Sequence, residues 1–497
     1  MKRKLFLFSY IVFIYCFLCM VAQGKTFAQT RKKDDADNPM VNNFIIYDDF
    51  PAIHITKFDN PAPGNIYLDN FKFSNNDSGA YLIVLDNAGN IIYAKSLWGR
   101  FAQDFKPQPN GMYTYFDAGA LTFKFFGLDS NFNLTDSFEA ANGYTTDSHE
   151  LIFLPDGGYA LLAQTDSNAD LSKLFSSGKP NSTVETGILQ AFDAKKKLVF
   201  EWRTQDHFAL TDATYPDVAS GTFDFTHCNA IVYDPTDSTF LLSSRNLDEI
   251  TKISRKDGHI IWRWGGSHNE FKFVNDSLIF SRQHAVRKLA NGNILLFDNG
   301  TFHHTAQPFS RAVEYSLDEQ AKVATKVWEY HHDPDVYGNA MGYVQQLANG
   351  NRLICWGGCD SVAVTEVTPE GKTAFELKFD PGIYSYRAYK FTDAEIKAMQ
   401  FKSGVSPRQA IPFSLDQNYP NPFGISTVIN FNIVDRSPVD LIVYDAVGRQ
   451  IRTLFHGTAD VGSYSAKFDG TGLPSGTYFY KLNTNSGSLT KILTLLH

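Results

Sequence analysis

The amino-acid sequence predicts an all-β chain, a six-bladed β-propeller followed by a small C-terminal β-sandwich. Three observations predict it. Phe (42) and Tyr (24) are abundant among the 497 residues, and aromatic side chains favour pleated, half-buried strands over helices. Gly (35) and Pro (20) supply many turns. A two-part unit also recurs at roughly 50–60 residues, the size of one propeller blade. The formal charge of −8 with no long basic run argues against a nucleic-acid partner.

Taken in order, residues 1–24 read as a signal peptide. Lys2, Arg3 and Lys4 open it, Leu5 to Ala22 is almost wholly apolar, and Ala22-Gln23-Gly24 offers a small-x-small cleavage site. Thr26-Phe27-Ala28 is a second candidate. A retained anchor is the alternative, since about 18 apolar residues can just span a bilayer. The polar stretch 25–42 lacks a stop-transfer pattern, so no permanent membrane span is expected. Cleavage removes three cations and no acid, taking the formal charge from −8 to −11. Cys16 and Cys19 leave with it, and Cys228, Cys355 and Cys359 remain. The last two either close a disulfide around Trp356-Gly357-Gly358 or stay as thiols.

Residues 43–395 carry the repeat. One half of each unit is an Asn-Gly or Asp-Gly turn before an apolar run, as at Pro109-Asn110-Gly111, Pro155-Asp156-Gly157, Ala290-Asn291-Gly292 and Ala348-Asn349-Gly350. The other half is a strand, a polar turn and an aromatic-rich strand, as from Leu82 to Tyr93 and from Thr251 to Trp262. Such turns need positive φ and make hairpins. Two hairpins form a four-stranded sheet, and closing such sheets into a ring buries both faces of each. A parallel β-helix would need shorter repeats. After a linker at 396–412, alternating strands from Thr427 to Leu496 give a β-sandwich over 413–497.

Polar residues at the inner ends of blades converge on a central funnel. Three patterns containing His stand just before a hairpin at the same phase of the repeat. They are Asp147-Ser148-His149-Glu150, Thr226-His227-Cys228-Asn229 and Ser281-Arg282-Gln283-His284. Gly342-Tyr343-Val344 stands in that register without a His, and Arg245 follows the second pattern by one hairpin. A single such His can simply satisfy backbone groups around the axis. Three in phase, joined by Arg245 and Asn229, point to one shared site. Three imidazoles suit a transition metal, but a guanidinium beside them favours an anion. No metal and no cofactor is therefore expected.

The same residues carry a resemblance. Asp147-Ser148-His149-Glu150, Phe225-Thr226-His227-Cys228-Asn229, Ser243-Ser244-Arg245-Asn246, Ile260 to Gly266, Gln283-His284 and Phe297-Asp298-Asn299-Gly300 are similar to the bacterial arylsulfate sulfotransferase family. The likeness runs from about Pro61 to Phe379. It implies sulfuryl transfer from a phenolic sulfate donor to a phenolic acceptor, without a nucleotide donor. It also implies that His284 is the transiently sulfurylated nucleophile. His227, Asn229 and Arg245 would hold the sulfuryl oxygens, and His149 would bind the donor or assist proton transfer. The chemistry agrees, because a loose transition state needs positioning and fixed positive groups, and a neutral imidazole can attack.

Gln417-Asn418-Tyr419-Pro420-Asn421-Pro422-Phe423, Val443-Tyr444-Asp445 and Leu473 to Tyr480 resemble the C-terminal sorting domain of the type IX secretion system of Bacteroidota. That implies the type IX secretion machinery as a partner, and a secreted or cell-surface location. Other motifs carry less. Glu370-Gly371-Lys372-Thr373 echoes a phosphate loop without its first Gly, and Asp166-Ser167-Asn168 begins a calcium loop in which Leu171 replaces the needed Gly. His303-His304 and His331-His332-Asp333 could bind a metal but read better as exposed loop histidines. The rival to an enzyme is a secreted propeller that binds glycan or protein without catalysis.

Overall fold

The computed structural model describes residues 40–496 except 42–43, 47, 73–78, 98–100, 120–121, 400–412, 416, 434–435, 460–461 and 486. The expected signal segment 1–24 and most of the two linkers lie outside the described residues. The described chain is almost wholly β and divides into two compact units. Among the described residues no helix is long and apolar enough to cross a membrane.

In the larger unit, six mainly antiparallel sheets of four or five strands follow one another between residues 53 and 391. The hairpin turns behave as their composition requires. Gly111, Gly157, Gly292 and Gly350 take φ of 85°, 83°, 89° and 88°, a region that costs a residue without Cβ nothing. The first strands of the sheets are Asn65–Lys72, Ala102–Pro107, Thr145–Phe153, Cys228–Asp234, His284–Lys288 and Tyr343–Gln346. Each packs on the next in that order, and the last meets Ala388–Phe391, which pairs with the first. The series therefore closes on itself as a β-propeller.

Closure uses both ends of the unit. Ile53–Phe58 pairs with Thr373–Phe379 as the outermost strand of the sixth sheet, while Ala388–Phe391 becomes the inner neighbour of Asn65–Lys72 in the first. Between the sheets lie apolar layers, such as Leu162, Leu189, Trp202, Ile231, Phe240 and Leu242 between the third and fourth. Trp262, Trp264, Phe280, Leu296 and Tyr315 fill the next gap. Each such side chain contributes about 1.5–3 kcal/mol when fully buried, so these layers, rather than hydrogen bonds across blades, hold the ring together.

A short helix, Asp393–Met399, spans position 395, where the propeller was expected to end. Its start is a reciprocal cap: Glu395 Oε2 accepts from Thr392 N–H at 2.7 Å, and Glu395 N–H donates to Thr392 Oγ1 at 3.1 Å.

The C-terminal unit packs a three-stranded sheet (Phe413–Leu415, Ser426–Ile433, Gly462–Asp469) on a four-stranded one (Gln450–Ala459, Ser437–Tyr444, Gly476–Thr484, Gly487–Leu495). Ile429, Phe431, Leu441, Val443, Tyr480 and Leu493 fill the space between them. The motif at 417–423 stitches the entry segment to later strands. Asn418 Nδ2 donates to Pro420 O and Thr427 Oγ1 at 3.1 and 3.0 Å, and Asn421 Oδ1 accepts from Thr494 N–H at 2.7 Å.

Cys228, Cys355 and Cys359 are free thiols; Cys355 donates to Ser385 O, while Cys359 meets Ser361 Oγ at 3.3 Å. His303 is not exposed. Its side chain is 1% exposed and lies 3.2 Å from Asp298. His332 pairs with Glu376 at 2.9 Å and His331 with Asp335 at 2.7 Å, and among the described residues neither belongs to a group placed to hold a metal ion. Gly371 closes a strand turn onto Thr368 O, as the local context of that phosphate-loop echo suggests.

Candidate active site

The three histidines reach one place because each inner strand breaks register there. Shifts fall between Thr146 and Leu151 in the third sheet, Cys228 and Ala230 in the fourth, and His284 and Arg287 in the fifth. A bulge bends its strand and re-aims a side chain. His227 and Ala285 carry φ of 48° and 55°, unusual for residues with a Cβ, which marks the same distortion. The ring centroids of His149 and His227 lie 4.8 Å apart, with His284 at 6.4 and 6.1 Å from them. Cys228 turns the other way, into the core against Gly187, Thr226 and Ser244. Burial pushes its thiol up to about 12, so it is inert.

The Nδ1 atoms of all three histidines are engaged. His149 Nδ1 meets Asp147 Oδ1 at 2.7 Å, and His227 Nδ1 meets Asp224 Oδ2 at 2.5 Å. His284 Nδ1 meets Asn299 Oδ1 at 2.7 Å, with Arg282 O at 3.1 Å. Asn299 donates through Nδ2 to Gly338 O and Met341 O at 2.7 and 3.1 Å. Its oxygen is thus the atom facing His284, and His284 Nδ1 must carry the proton. Nε2 keeps its lone pair and accepts from Met341 N–H at 3.3 Å.

Arg245 is 8% exposed and hangs from the fourth sheet by its N–H to His227 O at 3.1 Å. Its Nη1 donates to Asn246 Oδ1 at 2.9 Å, an oxygen that also accepts from Arg282 Nη1. Asn246 Nδ2 in turn donates to Asp224 O at 2.5 Å. Asn229 is fully buried; its Nδ2 donates to Gln283 O at 2.8 Å, and its Oδ1 has no partner. All five residues singled out in the sequence therefore meet in or beside one cluster. Spacing alone did not single out the roles of Asp147, Asp224, Asn246, Asn299, Arg282 and Met341. Asp147-x-His149 and Asp224-x-x-His227 were legible as pairs, whereas Asn299 and Met341 arrive from distant turns.

Burial, followed by the charges of Arg245, His227 and His149, holds His284 well below the usual imidazole range. His227 is lowered by burial too, with Asp224 opposing and His149 and Arg245 assisting. Burial works against the ionised forms of Asp147 and Asp224, yet both stay below the ordinary carboxyl range through His149 and His227 respectively. Glu185, in register with Asp224, is pushed up to about 7 by burial and by Asp224, Asp166 and Asp147.

The three histidines offer nitrogens within 4.8 Å of one another. A tetrahedral zinc site needs them roughly 3.4 Å apart, given Zn–N of about 2.0–2.1 Å. With the Arg245 charge already acting on His227 and His284, the set suits an oxyanion better than a cation.

Beneath the cluster lies a second layer. Glu150 binds Arg287 Nη2 and Arg387 Nη1 at 2.8 and 2.9 Å and also Lys106 Nζ, while Arg387 Nη2 donates to Asn229 O at 2.8 Å. Tyr386 donates its hydroxyl to His149 O at 3.2 Å. Beside His284, Phe71, Met341 and Tyr386 form an apolar group with Phe101 and Tyr384.

Comparisons with known proteins bear on this arrangement. A secretion system C-terminal sorting domain matches residues 417–495, so the chain carries a tail for export to the cell surface or the medium. Arylsulfate sulfotransferase AssT of Escherichia coli O6:H1 is 28% identical over 165 residues, covering 27% of this chain and 27% of that protein. The match thus spans about a quarter of the relative's length. Among solved structures, a protein of unknown function from Bacteroides caccae aligns with TM-score 0.41 and 11% identity, over 65% of this chain and 99% of that one. The Cps50 (Swd1) β-propeller domain of Myceliophteria thermophila aligns with TM-score 0.33 and 9% identity, over 66% and 99%. The arylsulfotransferase (ASST) family model matches residues 30–390, which take in every residue of the cluster, and this chain belongs to that family.

Proposed function

We propose that this chain is an exported arylsulfate sulfotransferase that works by a ping-pong exchange through a sulfurylated His284. One observation carries the reading: a neutral imidazole turns its unprotonated Nε2, met only by the long Met341 N–H contact, toward the place where two further histidines and Arg245 converge. Family membership supports the reaction class. In the first half, His284 Nε2 attacks the sulfur of a phenyl sulfate, the sulfur–aryl oxygen bond breaks, and the phenolate leaves with its electron pair. In the second half, a phenol oxygen attacks the same sulfur, and the N–S bond breaks back onto Nε2.

His227, Asn229 and Arg245 hold the sulfuryl oxygens. The peripheral charge of a loose transition state makes fixed donors worth the most there. His149, held by Asp147, moves a proton between the departing phenolate and the incoming phenol. The apolar group of Phe71, Phe101 and Tyr384 gives an aryl ring a surface to rest on. An acidic chain can still take an anionic donor, because Arg245 supplies a guanidinium at the site and neutral imidazoles can add N–H donors without an anion's repulsion.

The test is incubation of the chain with 4-nitrophenyl sulfate, with and without added phenol. Release of nitrophenol that depends on the phenol and vanishes in His284→Ala supports the transferase. Equal release without phenol points to hydrolysis. No release from folded protein favours a propeller that only binds glycan or protein.

A further inference from the structure

The histidines of the cluster are held by different acceptors, and the difference has chemical content. Carboxylates hold His149 and His227; a carboxamide holds His284. Asn299 is fully buried, sits at the end of Ile294–Asp298, the strand paired with that of His284, and has its amide saturated by Gly338 O and Met341 O. It cannot turn over without setting its oxygen against those two carbonyl oxygens.

We propose that Asn299 is a positioning residue which locks His284 in its Nδ1–H form and keeps that proton on the ring throughout the exchange. This rests on the transferase reading above. When Nε2 bonds to sulfur, the ring becomes cationic, with a proton on Nδ1 and a sulfonate on Nε2. A carboxylate in that place would take the Nδ1 proton, and the ring would then have to leave as an imidazolate in the second half. An amide oxygen accepts the hydrogen bond but not the proton. The N–S bond therefore breaks to give a neutral imidazole, with the electron pair returning to Nε2 and the Nδ1 proton still in place. The same amide fixes the turn whose Met341 N–H meets Nε2 at 3.3 Å. The lone pair that N–H touches becomes the N–S bond, which leaves the N–H beside the sulfuryl oxygens.

Three measurements on the full chain test this. Nitrogen NMR of histidine-labelled protein should find the His284 proton on Nδ1 in the wild type and show a mixture of the two ring forms in Asn299→Ala, where only the longer Arg282 O contact at 3.1 Å still accepts. The alanine variant should lose about 10- to 100-fold in kcat with KM held within about twofold, because the Met341 N–H that Asn299 fixes meets the sulfuryl oxygens only once sulfur is bonded to Nε2. Asn299→Asp should accumulate the sulfuryl-enzyme, seen as the mass of one SO3 added to the intact chain and mapped to His284. A wild-type proton on Nε2, or an alanine variant with wild-type kcat, overturns the proposal even if the aspartate variant fails to fold. A folded aspartate variant that turns over normally without a trapped species overturns the proton-retention step. If the wild type moves no sulfuryl group at all, the transferase reading falls and the role of Asn299 in it falls too, while the NMR still reports the tautomer.

Discussion

The propeller and the C-terminal sandwich bury their interiors in opposite ways. In the sandwich, the buried polar side chains among the described residues are Asn418, Thr427 and Ser437, and none is charged. In the propeller, Asp69, Asp104, Lys106, Glu150, Arg245, Arg282, His284 and Arg387 are all buried, most of them near the inner strands. Burying a charge is costly unless it is paired, so a fold does not accumulate such groups for stability. One unit is built to persist, and the other places charge where water is scarce. That is the setting in which fixed donors act most strongly on a transferring anion.

Glu150→Gln is expected to break this contrast most sharply. It leaves Lys106, Arg287 and Arg387 short of their shared anion and should cost about 3–5 kcal/mol in denaturant unfolding. Transfer should fall as well, because Arg387 also holds Asn229. In the sandwich, Phe431→Ala removes a ring that is 1% exposed and should cost about 3–5 kcal/mol in that unit with transfer unchanged. An effect on kcat would break the separation of roles between the two units.

Arg245→Ala should lower kcat/KM about 10²- to 10³-fold and weaken competition by inorganic sulfate, with little change in melting temperature. The smallest effect belongs to Glu185. Its carboxyl is raised to about 7 in the folded chain against an ordinary 4.5, so the folded state holds the proton more tightly. Its contribution is complete below pH 4.5 and is lost as the pH rises through about 7. Glu185→Gln should therefore raise the melting temperature at pH 8 by on the order of 2 °C and leave it unchanged at pH 4. The His284 and His227 shifts have the opposite sign. Their folded forms bind protons less readily, so stability declines as the pH falls below 6.5.

Much of this was legible in the residues themselves. Asn-Gly and Asp-Gly turns marked the hairpins because their conformation admits few other residues. The phase of His149, His227 and His284 marked the site because a repeat brings equal positions to one axis. What escaped was whatever depends on register slips and on contacts between distant turns. The bulges that aim the histidines have no composition of their own. Asn299 meets His284 from the turn just after the next strand, and Met341 arrives from the turn that leads into the sixth sheet. His303 read as an exposed loop residue because a loop's composition does not reveal that the turn after Asp298 folds back and sets the ring against that carboxylate. The helix at Asp393–Met399 was announced by Thr392-Asp393-Ala394-Glu395, a capping pattern easily passed over in an all-β reading.

Ring closure has a consequence for the order in which the molecule matures. Tyr386 and Arg387 lie just before the strand that pairs with Asn65–Lys72, and they support His149 and Asn229. A growing chain therefore has all three histidines long before it has the residues that brace them. The proposed site is completed only when the propeller ring closes, and a chain cut short before residue 386 would leave His149 and Asn229 without these braces.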